Sequence, residues 1–148
     1  MIYYRNDVRR SGVDGRALVA TARRLLCAVG EGEAALSLSL VRDDAIRALN
    51  QRYRGRDAPT DVLSFPLEET IAPERMLGDV VISVDTARRQ AEAYDAPVQR
   101  EVYRLLIHGL LHLTGHDHVE ARERNVMRRE ERRLARAIDL PWPYRASR

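Results

Sequence analysis

Lysine is absent from this chain of 148 residues; all 25 basic side chains are arginine. So uniform a preference reflects genome composition rather than a selected set of phosphate-binding forks. Against 22 acidic residues it leaves a net charge of only +3, which permits a nucleic-acid partner without pointing to one. Cysteine is nearly absent as well. The lone Cys27 excludes an internal disulfide, and with Leu25, Leu26 and Val29 beside it the thiol is expected in the core. No apolar run reaches the ~18–20 residues of a membrane span, and the N-terminal residues lack the apolar stretch of a signal peptide. The chain is therefore expected to be cytoplasmic and off the membrane. Repeats, linkers and low-complexity tracts are missing too. What remains is one domain over residues 1–148, long enough for a real core, with the 45% hydrophobic and 32% charged content of an ordinary globular protein.

Histidine is missing everywhere except in one stretch. All four histidines fall within His108-Gly109-Leu110-Leu111-His112-Leu113-Thr114-Gly115-His116-Asp117-His118, which reads H-x-x-x-H-x-x-G-x-x-H. On a helix, His108 and His112 share a face, one turn apart. Imidazoles so placed can share one Zn²⁺, each with a nitrogen at roughly 2.0–2.1 Å. Gly115 is expected to end the helix, because a residue without Cβ turns left-handed at no steric cost. The reversed chain can then return His118 over the metal as third ligand. His116 is the competitor; on a continued helix it would lie about 12 Å along the axis from His108 at 1.5 Å per residue, and His118 is preferred. Leu105, Leu106, Ile107, Leu110, Leu111 and Leu113 surround the histidines, so the helix should be buried.

Around this stretch, helices and strands alternate. Ile2–Arg5 reads as a first strand. Asp14 caps a helix with Leu18, Val19, Ala22, Leu25, Leu26 and Val29 in helical period, stopped by Gly30 and Gly32. Ala34–Val41 alternates, Leu36, Leu38 and Leu40 one way and Ser37 and Ser39 the other, as a half-buried strand does. Asp43 or Asp44 caps a helix turning Ile46, Leu49 and Tyr53 inward. Val62–Pro66 is the best candidate for an antiparallel edge strand, with proline at its end. Gly78–Val84 is a β-branched run expected at the sheet centre. Asp85 caps the next helix, Asp95 and Pro97 begin the histidine helix, and Val119–Ile138 forms a charged last helix with Val126, Met127, Leu134 and Ala137 turned inward. Its charge run reads as a solvated face. The whole is an α+β domain: a four-stranded mixed sheet packed with about five helices. Strand order is not legible from the sequence.

Three neutral histidines on Zn²⁺ leave a fourth position for water, the arrangement of a catalytic site. With no anionic ligand the site keeps its full positive charge, which suits an anionic substrate such as a phosphodiester. The spacing is also that of the metzincin peptidases, H-E-x-x-H-x-x-G-x-x-H, but Gly109 stands where their glutamate supplies the general base. Helix propensity alone predicts that glutamate would be tolerated there.

The histidine stretch resembles the H-G-x-L-H-L-x-G-Y-D-H signature of the YbeY endoribonucleases, the bacterial rRNA maturation factors. Two further blocks resemble the same family: residues 49–66, which include Tyr53-Arg54-Gly55 and Asp61-Val62-Leu63-Ser64-Phe65-Pro66, and Gly78-Asp79-Val80-Val81-Ile82. Together the blocks span roughly residues 47–118. His116 departs from the family, which usually has tyrosine there. The resemblance implies a metalloprotease-like topology and a zinc-dependent, single-strand-specific endoribonuclease that acts in 16S rRNA maturation and ribosome quality control. It implies one zinc per chain on His108, His112 and His118, and RNA, in particular rRNA or ribosomal subunits, as partner. Arg54 matches the family's functional arginine and, with His108, is a candidate catalytic residue; its guanidinium would hold a phosphate oxygen as charge builds. Asp61 and Asp79 either orient a histidine or serve as turn and strand-start residues. Two alternatives come from other classes: a metzincin-like metallopeptidase, and a non-catalytic ribosome-assembly factor stabilised by zinc.

Overall fold

A computed structural model of the chain describes residues 1–67, 70–71, 74–116 and 119–142. The described strands are β1 (Ile2–Asn6), β2 (Ala35–Val41), β3 (Val62–Pro66), β4 (Thr70–Ile71) and β5 (Glu74–Ser83). The described helices are α1 (Gly15–Ala28), α2 (Asp43–Arg54), α3 (Val84–Ala93), α4 (Val98–Leu113) and α5 (Ala121–Ala137). Four strands form the mixed sheet in the order β1-β2-β5-β3. β1, β2 and β5 run parallel, and β3 lies antiparallel at the edge against β5. The two-residue β4 pairs only with the start of β5, Thr70 opposite Arg75. Pro66, which has no N–H to give a ladder, ends the edge strand as its chemistry requires.

The leucine alternation in β2 decides which face is the core. Leu36, Leu38 and Leu40 are fully buried with Val80 and Ile82 of β5 in one cluster that also takes in Leu18, Leu25, Leu105, Leu106 and Leu110. That face carries α1, α4 and α5. On the opposite face a smaller cluster joins Val41, Leu63 and Val81 to Ile46 of α2, with Leu49 and Phe65 against it.

Several local expectations change in the folded chain. Cys27 is exposed on α1, because the burial stripe of that helix runs through Leu25 and Leu26 and turns the next position outward. Tyr53 is 57% exposed: α2 has only the small cluster beneath it, and Tyr53 lies outside that cluster. On α5 the inward stripe is Met127, Leu134 and Ala135, continued by Ile138, whereas Val126 and Ala137 face out. Strand β5 runs directly into α3, so Ser83 rather than Asp85 is the cap, its Oγ accepting from Thr86 N–H at 3.2 Å. Neither Asp43 nor Asp44 caps α2 with its side chain. Instead the carboxylate of Asp85 accepts from the Asp43 N–H at 2.9 Å, and Asp43 in turn accepts from Ser83 Oγ at 2.6 Å, Thr86 Oγ1 at 2.7 Å and Arg89 at 2.7 Å. The starts of α2 and α3 thus cap one another.

Candidate metal centre

From Leu105 to Leu113 helix α4 is buried except at His108 and His112, which are half-buried and continue a line from Arg104 at four-residue spacing. Four-residue spacing makes them a single line along the helix. The imidazoles of that line converge, with His108 Nε2 and His112 Nε2 3.2 Å apart and the ring centroids at 4.7 Å. Two nitrogens bound to one tetrahedral zinc at ~2.0–2.1 Å stand roughly 3.3 Å from each other. The pair therefore fits two ligands of a single ion. His118 lies outside the described residues, and among those described no three metal-ligating side chains come together.

The turn after the pair forms as expected. Gly115 takes φ +94°, its N–H donates to His112 O at 3.2 Å, and the His116 N–H reaches back to Leu111 O at 3.0 Å. This double closure is the Schellman pattern, which reverses the chain and satisfies the last helical carbonyls. His116 is half-buried and does not line the cleft. It faces α5, where the hydrogen bond from Arg133 first, and the charge of His116 last, hold the Glu130 carboxyl below the usual range.

Gly109 packs α4 onto the sheet. A Cβ at this position would meet Val80 Cγ1 at 2.9 Å, Ser64 Oγ at 3.0 Å and Val62 Cγ2 at 3.2 Å. Ser64 Oγ donates to Gly109 O at 2.9 Å, fixing edge strand to helix. The position is closed to glutamate, so helix propensity misjudges it. The peptidase carboxylate is missing here, and the packing leaves no room for one.

Between β3, α4 and the end of α2 opens a polar cleft of about 390 Å³, lined by Arg54, Thr60, Asp61, Val62, Ser64, His108 and His112. Its outer wall is a tethered loop. Asn50, buried in α2, donates to Ala58 O at 2.8 Å, and Arg47 clamps Asp57 through two hydrogen bonds of 2.8 and 3.2 Å. Arg54 ends α2 with its side chain exposed at the cleft. Beside it Arg52 lies 5.2 Å over the Tyr53 ring, which packs on Phe65 at 5.2 Å.

Both aspartates have structural roles among the described residues. Asp61 Oδ1 accepts from the Val62 N–H at 2.8 Å and Oδ2 accepts from Gln90 Nε2 at 3.3 Å, so Asp61 starts β3 and joins it to α3. Asp79 lies opposite Ser37 and Phe65 in the register, on the face shared with Val81 and away from α4, because strand side chains alternate. A different carboxylate reaches the pair: Glu131 Oε2 of α5 stands 3.8 Å from His108 Nδ1, with only 12% of its side chain exposed. The charge run of α5 hides it in the sequence. The signal was its register, four after Met127 and three before Leu134, on the stripe that faces the core.

Behind the cleft Gln90 connects Asp61 to Arg104, whose guanidinium also bonds to the fully buried Glu101. Burial pushes the Glu101 carboxyl above the usual range against the pull of Arg104, and the charge of Asp61 adds to the rise.

Fold and site together define a small α+β domain that presents a paired-histidine helix to a polar, arginine-walled cleft. The family described as Endoribonuclease YbeY matches residues 4–139. The chain is 50% identical over 125 residues to an Endoribonuclease YbeY of Anaeromyxobacter sp. (strain Fw109-5), a match covering 84% of this chain and 65% of that protein. Identity is 47% over 129 residues to that of Pelotomaculum thermopropionicum, covering 83% and 85%. The solution structure of TM1509 from Thermotoga maritima superposes with a TM-score of 0.60 at 25% identity, covering 94% of this chain and 92% of that one. This chain belongs to the Endoribonuclease YbeY family. It spans 65% of the length of two Anaeromyxobacter relatives. Among the described residues no helix is long and apolar enough to cross a membrane.

Proposed function

We propose that the chain is a zinc-dependent endoribonuclease that cleaves single-stranded RNA, in the cytoplasm, during 16S rRNA maturation and ribosome quality control. The observation that carries this reading is the pair of His108 and His112 Nε2 atoms, 3.2 Å apart at a cleft that also holds Arg54. Family membership supports RNA as the substrate. His108, His112 and His118 would hold one zinc, with rRNA or the ribosomal subunit as partner. Zinc at such a site lowers the pKa of water and polarises a phosphoryl oxygen. The chain's own residues do the rest. Arg54 offers a guanidinium fork to a phosphate oxygen as charge grows there. Ser64 is committed to the Gly109 carbonyl and holds the helix in place instead of attacking. Tyr53, exposed and flanked by Arg52 and Arg54, offers an aromatic surface to an unpaired base, a contact that a duplex denies.

The test is cleavage of a defined single-stranded RNA and its duplex by the purified protein, with and without chelator and with zinc restored. Cleavage of the single strand alone, lost with chelator and recovered with zinc, is expected. Equal cleavage with the metal removed, or none under any condition, overturns the proposal.

A further inference from the structure

We infer that Glu131 is the positioning residue of the metal centre, a carboxylate carried by α5 that holds His108 in the tautomer able to bind a metal; this rests on the zinc reading above. Three observations converge on it. His108 presents its two ring nitrogens to different neighbours: Nε2 faces His112 Nε2 at 3.2 Å and Nδ1 faces Glu131 Oε2 at 3.8 Å. A neutral imidazole carries its proton on one nitrogen only. A carboxylate beside Nδ1 favours Nδ1–H, which leaves the Nε2 lone pair directed at the position it shares with His112. Drawn to the other nitrogen, the proton would block that lone pair.

The second observation is burial. Glu131 is 12% exposed on the stripe that α5 otherwise fills with Met127, Leu134 and Ala135. A carboxylate withdrawn from water needs a compensating partner. Helix α5 carries seven arginines, Arg122 to Arg136, yet among the described residues the partner of Glu131 within ion-pair distance is His108 on another helix. The third is placement. Glu131 reaches His108 at a point one turn further than His112 into the buried helix. At 3.8 Å the contact is electrostatic, and the side-chain torsions of glutamate allow it to shorten to a hydrogen bond.

Zinc affinity of the full chain, measured by competition with a chromophoric chelator, tests this directly. Glu131→Leu fits the apolar stripe and removes the acceptor, so zinc should bind about 10–100-fold more weakly. The metal-free protein should lose no thermal stability, since an apolar residue replaces a buried charge. Glu131→Gln, which keeps volume and one acceptor oxygen, should fall between. Exposed Arg128→Ala on the same helix should match the wild type. Nitrogen-15 NMR of the metal-free protein should show His108 with Nδ1 protonated, and that preference weakened in Glu131→Leu. Wild-type zinc affinity in both Glu131 variants overturns the inference, as does an unchanged His108 tautomer. A wild-type protein that takes up no zinc instead overturns the metal reading itself, a result the variants cannot imitate.

Discussion

Gly109, packed against the sheet, and Arg54, on the wall of the cleft, respond to substitution in opposite ways. Adding a single methyl at Gly109 forces it against Val80, Ser64 and Val62 at 2.9–3.2 Å. Overpacking of that kind costs about 1–3 kcal/mol, more than the roughly 0.8–1.0 kcal/mol that alanine adds as a better helix former. Gly109→Ala should therefore lower the melting temperature, and Gly109→Glu should fail to fold. A stable Gly109→Glu protein in thermal denaturation would contradict the close packing. Arg54 is exposed, so Arg54→Ala should leave stability and zinc content unchanged. Cleavage should fall by about 2–4 kcal/mol of transition-state stabilisation, the range for one lost charge-stabilising donor. Arg54→Lys should restore only part, since a point charge replaces a fork. Full cleavage by the alanine variant would remove Arg54 from the chemistry.

At the scale of the element, α4 was the most legible part of the chain. Its apolar surround, the His108–His112 register and the Gly115 turn all follow from helical period and one glycine. What periodicity does not encode is the neighbour. The exposure of Tyr53 depends on how little lies beneath α2, the role of Gly109 on the strand it touches, and the value of Glu131 on a histidine in another helix. The paired histidines and Arg54 were thus readable as candidates, whereas the carboxylate that reaches them required the fold. Metal analysis of single variants examines α4 directly: His112→Ala and His118→Ala should lose zinc and His116→Ala should keep it. Loss in His116→Ala with retention in His118→Ala would exchange their roles.

The junction of α2 and α3 makes a prediction in pH. Burial raises the Asp43 carboxyl, but hydrogen bonds from Ser83, Thr86 and Arg89 and the charge of Arg89 outweigh it and hold the group below its ordinary value of 3.8. A carboxyl lowered in the folded state contributes its full stability above the unfolded value and loses it as pH falls through the folded one. Asp43→Asn should therefore be less stable than the wild type at neutral pH, and the gap should close below about pH 4. Denaturant unfolding across that range checks it; a gap independent of pH would mean the network does not depend on the charge.

For the whole molecule, the proposed zinc would link metal binding to folding. A ligand that binds only the folded state adds about 2.7 kcal/mol at a hundredfold excess over its Kd, so chelation should lower the melting temperature, and zinc should restore it. The wild type should cleave RNA and leave casein intact; casein hydrolysis abolished by chelator and by His112→Ala would favour the peptidase class instead. The sheet order has a further consequence, for the growing chain. β2 is paired on one side by β1, which precedes it, but on the other by β5, which is made more than thirty residues later. Until Ser83 has left the ribosome, the strand that carries Leu36, Leu38 and Leu40 has one edge unpaired, and its apolar face waits longer still for α4, residues 98–113. Open apolar edges of this kind pair with other chains. Any stall or truncation before β5 thus releases an aggregation-prone half-sheet, and synthesis of a single strand, residues 74–83, closes its open edge.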